Sequence, residues 1–321
     1  MSPRVLKTRI CPHCKADLAK PTPRSCPKCG GSLQQRYLKA GCISSAPKLL
    51  LIGMGLWWLV LAPLAAPGAQ DKPAKPAEGA LDAPDVADIP TQDLHLGKDE
   101  QKRYLLAGPR KDEKEPKDGF GVLVVMPGGD GAAGFHPFVK RIYKNAVPEG
   151  FLVVQPVAVQ WTPEQQIVWP TEKSKVGGMK FTTEEFVEGI LEELAKSRKI
   201  DAARVFTLSW SSSGPAAYAL SLRKKGLVKG SLIAMSVFHP DELDLDAAKD
   251  RAYYILHSPD DQVCPFKMAE EARDTLRKKG AKVEFGTYLG GHGWKQDPFG
   301  KIRKGLEWLL DPKVKPEKKK P

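Results

Sequence analysis

The sequence predicts an α/β fold over residues 91–312, a mainly parallel β-sheet with helices on both faces. Three observations carry this. From residue 119 onward, short apolar runs alternate with amphipathic stretches of helical period. The runs are almost fully apolar, which marks strands covered on both faces rather than half-exposed ones. Cys264 is the only cysteine beyond residue 42, so this part can have no internal disulfide and must be stabilised by packing. With 41% hydrophobic and 27% charged residues over 321 positions, the chain can supply a sizeable core, and a wholly disordered chain is excluded.

Taken in order, apolar runs at 120–126, 151–155, 204–208, 231–236, 252–257 and 283–288 predict six strands. Helices are expected at 137–145, 183–199, 214–225, 265–279 and 301–310. In the last of these, Ile302, Leu306, Leu309 and Leu310 share one face. In a sheet of this type, function collects at the carboxyl ends of the strands.

Ahead of this region lie three further segments. Within residues 1–40, Cys11-Pro-His-Cys14 and Cys26-Pro-Lys-Cys29 are separated by eleven residues. Two CxxC turns supply the four sulfur ligands of a tetrahedral zinc site, and the pattern resembles a zinc ribbon. The alternative for four such cysteines is a disulfide or redox pair. A module this short has almost no apolar core, so a structural zinc would supply most of its folding free energy. Residues 47–66 contain eighteen consecutive residues, 49–66, without a charge. At about 1.5 Å per residue such a helix just crosses a hydrocarbon core. The expected arrangement is a single-pass membrane anchor; the alternative is a cleaved signal and a secreted product, with small residues Ala65, Ala66, Gly68 and Ala69 available for cleavage. Residues 67–90, rich in Pro and Ala, read as a semi-extended tether.

Charge sorts the same segments. The formal charge of +12 invites a nucleic-acid reading. Residues 1–48, however, carry +9 and the lysine tail 313–321 carries +4, which leaves −1 for residues 49–312. The excess is terminal, and it does not support nucleic acid as a partner of the large domain. The +9 block lies before the apolar segment and mixed charges follow it. The positive-inside rule therefore puts the N-terminus in the cytoplasm and the large domain outside. A ribbon facing the cytoplasm is available to a protein partner there. The tail is expected to be disordered.

Four features of the large domain carry chemistry. At the end of the 204–208 strand stands Ser209-Trp-Ser211-Ser-Ser213-Gly214, followed at once by a helix. A strand–turn–helix with serine at its centre is the setting of a nucleophile elbow, whose usual form is Gly-x-Ser-x-Gly. Here both flanks are serine, and the centre of the frame is Ser211, with Ser209, Ser212 and Ser213 as the other serines of the turn. The 252–257 strand ends in His257-Ser-Pro-Asp260-Asp261-Gln-Val-Cys264-Pro265. After the last strand comes Gly290-Gly291-His292-Gly293, and after the 120–126 strand comes Pro127-Gly128-Gly129-Asp130-Gly131. The last cluster lacks the GK[ST] ending that a phosphate loop needs.

Over about residues 115–311 these motifs, in the order Ser…Asp…His, resemble the α/β-hydrolase superfamily, in its dienelactone hydrolase, carboxylesterase and polyhydroxybutyrate or feruloyl esterase branches. The resemblance implies ester hydrolysis without a catalytic cofactor. Aligning on His257 and Pro265 selects Asp261 as the acid, with Asp260 as runner-up, and gives Cys264 a slot usually filled by a packed valine. Ser211 is then the nucleophile, His292 the general base, and Asp261 the group that orients the imidazole. The oxyanion donors implied are the backbone N–H of Ser212 and that of Gly129 or Asp130, in a loop where many members have His-Gly-Gly and this chain has Pro127.

An insertion between residues 155 and 182 leaves the carboxyl end of a strand. Its Trp161 and Trp169 are expected to shape a substrate pocket, with ordinary local packing as the alternative. Trp210 is expected to pack inward. His95, His136 and His239 have no matching carboxylate context. The function expected is a membrane-anchored serine hydrolase of small-molecule or polymer esters. Its rivals are a serine peptidase of the prolyl-oligopeptidase type and a non-catalytic hydrolase-fold sensor coupled to the ribbon.

Overall fold

The computed structural model describes residues 83–311, together with Ile10 and Asp17. The expected zinc ligands, the segment 47–66, most of the tether 67–90 and the tail 313–321 lie outside the described residues. Among the described residues no helix is long and apolar enough to cross a membrane. No cluster of His, Cys, Asp and Glu among them could hold a metal ion.

Eight strands form one sheet. They are β1 (Thr91–His95), β2 (Arg103–Ala107), β3 (Phe120–Met126), β4 (Phe151–Pro156), β5 (Ile200–Trp210), β6 (Gly230–Ala234), β7 (Ala252–His257) and β8 (Lys282–Thr287). Their order is β1-β2-β4-β3-β5-β6-β7-β8. Strands β3 to β8 run parallel, whereas β1 and β2 form an antiparallel edge. Five helices cover the sheet: α1 (His136–Ala146), α2 (Thr183–Ser197), α3 (Gly214–Ser221), α4 (Phe266–Lys278) and α5 (Pro298–Leu310).

Strands β3, β4, β6 and β7 and the second half of β5 are buried on both faces, as their continuous apolar runs require, whereas β8, at the edge of the sheet, buries only Val283. In β3, Leu123 and Val125 face one core cluster while Val122, Val124 and Met126 face another, the two-residue alternation of a strand. The first cluster takes in Phe138 and Ile142 of α1 with Ile302 and Leu306 of α5. The second is closed by Phe186, Val187, Ile190 and Leu191 of α2. A third joins Tyr218 of α3 and Leu276 of α4 to Tyr253 and Ile255 of β7.

Local signals set the helix starts. Thr182 and Glu185 form a capping box on α2: Thr182 Oγ1 accepts from the Glu185 N–H at 3.1 Å, and Glu185 Oε2 accepts from the Thr182 N–H at 2.8 Å. Asp297 caps α5 through the Gly300 N–H at 2.8 Å, and Pro298 takes the first helical position. The helix thus begins three residues before the expected 301. Helix α3 ends at Ser221, short of the expected 225.

The antiparallel edge was not expected, because β1 has a single apolar residue and its burial is slight. It is joined to β2 by Arg103, whose guanidinium donates to Asp93 at 2.9 and 2.6 Å. The end of the tether also differs. Val86 and Ile89 are buried in the core, while Asp85 and Asp88 pair with Arg141 and Lys144 of α1. Two apolar residues at a spacing of three are enough to dock this stretch, so packing onto the domain reaches at least as far back as Val86, ahead of residue 91.

Candidate active site

The carboxyl ends of β3, β5, β7 and β8 bring the chemistry-bearing loops together. Ser211 follows β5 directly, and its backbone has φ +57°, a left-handed conformation that costs a non-glycine residue about 1–3 kcal/mol. The surrounding structure imposes it. Ser213 Oγ, fully buried, donates to the Met126 carbonyl at the end of β3 at 2.6 Å and accepts the Trp210 N–H at 3.0 Å. Ser236 Oγ donates to the Ser211 carbonyl at 2.6 Å.

The demand for small residues falls on other positions than the frame suggests. A Cβ on Gly214 would collide with the Ser236 side chain, and one on Gly128 would lie 2.5 Å from the Trp210 carbonyl oxygen and 3.0 Å from Ser211 Cβ. Ser213, where glycine is usual, is used for its hydroxyl. Ser209 is buried and its hydroxyl has no hydrogen-bond partner.

His292 Nε2 lies 3.1 Å from Ser211 Oγ, and His292 Nδ1 lies 2.8 Å from Asp261 Oδ2. A carboxylate only accepts, so the proton sits on Nδ1 and the lone pair of Nε2 faces the serine hydroxyl. Asp261 Oδ1 accepts the N–H groups of Val263 at 2.8 Å and Cys264 at 2.9 Å. Burial works against ionisation of Asp261. The hydrogen bonds from His257 and His292 outweigh it and hold the carboxyl well below the usual carboxylate range. Asp260, the runner-up, reaches only the Gly290 N–H, at 3.5 Å.

Three further residues complete the site; of these the sequence marks only His257, as an alignment point and not for a contact. Ser258 Oγ accepts the Gly291 N–H at 3.1 Å and ties the histidine loop to the aspartate loop. Met235 Sδ accepts the Gly293 N–H at 3.2 Å, from a backbone held at φ +42°. His257 is buried, and its Nε2 is 2.9 Å from the Cys264 carbonyl oxygen. Ser258 and Met235 stand thirty-three and fifty-eight residues from what they hold, so the sequence gives no local signal of either contact. Cys264 is packed, and burial pushes its thiol up to about 12. Trp210 faces inward, edge-on to Phe135, Phe138 and Trp294. His136 is buried against Gln155.

The 127–131 segment turns tightly. The Gly131 N–H donates to the Gly128 carbonyl at 3.2 Å, with Gly129 at φ +66°. Ser212 Oγ donates to the Gly129 carbonyl at 3.0 Å, so this turn lies beside the elbow.

Trp161 and Trp169 stand elsewhere than expected. They line an apolar cleft with Val157, Val168, Phe181 and Phe186, and the cleft has room for about one water. Neither Ser211 nor His292 lines it. Trp161 packs edge-on against Phe181 with ring centroids 4.8 Å apart, and Trp169 is buried against the 127–131 turn.

No family model matches the chain, and no curated protein matches its sequence. Solved structures do match in shape. A thermostable esterase superposes with a TM-score of 0.53 at 18% identity, over 70% of this chain and 63% of that one, so the match takes in less than two thirds of that esterase. The fold is that of the α/β-hydrolases. A carboxylesterase from Mesorhizobium loti superposes with a TM-score of 0.51 at 14% identity over 70% of this chain and all of that one. An acylaminoacyl peptidase does so with a TM-score of 0.50 at 13% identity, over 72% of this chain and 43% of its own. At these identities the likeness is one of fold.

Proposed function

We propose that the chain is a serine hydrolase of carboxylic esters that works through an acyl-enzyme on Ser211. The observation that carries this is the unbroken relay from Ser211 Oγ to His292 Nε2 at 3.1 Å and from His292 Nδ1 to Asp261 Oδ2 at 2.8 Å. A serine hydroxyl is a weak nucleophile until a base removes its proton. His292 Nε2 takes that proton as Ser211 Oγ bonds to the ester carbonyl carbon. The tetrahedral intermediate collapses by breaking the C–O bond to the alcohol, and His292 returns the proton to the departing oxygen. Water then repeats the sequence on the acyl-serine and releases the acid. Asp261 keeps the imidazole in the productive tautomer and stabilises the imidazolium.

The oxyanion of the intermediate needs fixed donors, each worth roughly 10²–10³ in rate. The Ser212 N–H is one. Between Gly129 and Asp130, peptide planarity favours Gly129. The Gly129 carbonyl accepts from Ser212 Oγ, so the Asp130 N–H, on the opposite side of the same peptide plane, turns away from Ser212.

The test is turnover of p-nitrophenyl acetate and longer acyl esters by the full-length chain, beside Ser211→Ala and a peptide p-nitroanilide. Ester turnover lost in Ser211→Ala, and Ser211 labelling by a fluorophosphonate, are the expected results. Preference for the anilide would favour the peptidase rival. An unlabelled Ser211 would favour the sensor.

The N-terminal part of the same reading is a cytoplasmic zinc ribbon on Cys11, Cys14, Cys26 and Cys29, a single-pass anchor at 47–66, and a hydrolase domain outside the cytoplasm. Its support is the ligand spacing and the charge asymmetry. An antiparallel bridge between Ile10 and Asp17, which flank the first CxxC, adds to it. One zinc per chain in the purified protein, lost in Cys11→Ser, is the expected result. A C-terminal reporter active only in the cytoplasm would reverse the orientation.

A further inference from the structure

Three successive carbonyls of the turn after β3 each have a donor. The Gly128 carbonyl accepts from the Gly131 N–H at 3.2 Å and the Gly129 carbonyl from Ser212 Oγ at 3.0 Å. The first, that of Pro127, accepts from Trp169 Nε1 at 3.0 Å, and both partners are buried. The second donor comes from the turn itself and the third from the elbow. Trp169 alone of the three comes from the 157–182 insertion, forty-two residues away.

The contact is close and is itself braced. A Cβ on Gly131 would lie 2.8 Å from the Trp169 ring and 2.6 Å from Ala158 Cβ, so turn and insertion meet with no spare room. The Ala158 N–H donates to the Gly131 carbonyl at 3.1 Å. The residue after Trp169 is tied to the start of α2, because the Pro170 carbonyl accepts the Thr183 N–H at 2.9 Å and Thr183 Oγ1 at 2.7 Å. In a trans peptide the N–H points opposite to the preceding carbonyl, so holding carbonyls 127, 128 and 129 sets the N–H groups of Gly128, Gly129 and Asp130.

We propose that Trp169 is a positioning residue for oxyanion stabilisation, and that the insertion serves to brace the 127–131 turn through the bond from Trp169 Nε1 to the Pro127 carbonyl. This rests on the esterase reading. Neither Ser211 nor His292 lines the cleft that holds Trp169; the bond from Trp169 fixes the peptide plane that carries the Gly128 N–H, and it acts on the Gly129 N–H through that adjoining plane. Donors that need no reorganisation when charge develops favour the transition state over the ground state. Loss of the brace therefore falls on kcat and spares KM.

The test is Trp169→Phe in the full-length chain, which keeps an aromatic ring and removes the N–H. Expected are a fall in kcat of about tenfold, corresponding to roughly 1.4 kcal/mol, a KM within about twofold of the parent, and a matching rise in the inhibition constant of an ester-analogue trifluoromethyl ketone. Phe181→Leu disturbs the same apolar cleft without a bond to the turn, and at comparable loss of thermal stability it should leave kcat unchanged. Amide exchange at Gly128, Gly129 and Asp130 is measured on the same proteins and should quicken in Trp169→Phe alone. If Trp169→Phe does not fold, Thr183→Val, which removes the hydroxyl bond to the Pro170 carbonyl and keeps the backbone one, should give smaller changes in the same directions. Unchanged exchange in the turn, or an equal loss of kcat in Phe181→Leu, overturns the proposal. A parent chain that neither turns over esters nor reacts with a fluorophosphonate sinks the esterase reading instead, and the exchange measurement still decides whether Trp169 holds the turn.

Discussion

His257 and His292 converge on one oxygen: Asp261 Oδ2 is 2.8 Å from His292 Nδ1 and 3.4 Å from His257 Nε2. The His292 imidazole faces Ser211, while that of His257 is buried and shares its Nε2 with the Cys264 carbonyl. One carboxylate thus holds the imidazole of the relay and is itself held from behind.

Replacing His257 by leucine leaves the Cys264 carbonyl and one side of Asp261 without a donor. A loss of about 1–3 kcal/mol of stability is expected. A further cost of about 1 kcal/mol on the reaction would lower kcat roughly fivefold at unchanged KM. Asp261 is depressed in the folded state, so the stabilisation it gains from His257 is present above the ordinary aspartate value of 3.8 and is lost as pH falls below it. The gap between parent and variant in urea titrations should therefore narrow in acid, to the part owed to the Cys264 carbonyl. A constant gap would show that Asp261 is not the group concerned.

Ser213→Gly restores the more usual elbow residue, and it is expected to weaken the protein. The buried Met126 carbonyl and the Trp210 N–H would each lose their partner. A fall of about 1–3 kcal/mol is the expected result in thermal or chemical unfolding. A neutral or stabilising effect would mean that the elbow does not depend on this hydroxyl.

Gly128→Ala places a methyl group 2.5 Å from the Trp210 carbonyl oxygen and 3.0 Å from Ser211 Cβ. Both neighbours belong to the elbow, so the turn and the serine must separate. Displacement on the order of 1 Å costs about 10² in rate. Esterase assays should show that loss at a modest cost in melting temperature, and retained activity would contradict the geometry.

Glu184, in the first turn of α2, is buried with Oε2 lacking any partner, while Oε1 accepts the Glu172 N–H at 3.2 Å. Burial raises its carboxyl above the ordinary value of 4.5. A raised folded value means that the ionised form is disfavoured in the native state, so this group costs stability at neutral pH and costs nothing below 4.5. Glu184→Gln should therefore stabilise the protein by about 1–3 kcal/mol at pH 7, with the gain vanishing as pH falls below 4.5. Melting curves across that range check it.

Much of this organisation is legible in the residues because it is local. Strands β3, β4, β6 and β7 and the end of β5 are continuous apolar runs, and only a strand buried on both faces permits that. Ser211, Asp261 and His292 stand in loops that a parallel sheet must bring to one edge. The edge strands β1 and β2 were not legible, since an exposed strand such as β1 needs no apolar pattern and is specified by its neighbour.

The sequence by itself determined the alternation of elements, the neutrality of the large domain and the chain order of its chemistry-bearing loops. Tertiary structure alone decided why Ser213 can stand in place of glycine, and that Trp169 grips the 127–131 turn. The reason is physical. Apolar periodicity is a property of a few consecutive residues, whereas a hydrogen bond from Trp169 to Pro127 or from Ser213 to Met126 joins positions forty-two and eighty-seven residues apart. Such a bond exists only once the strands and the insertion have packed.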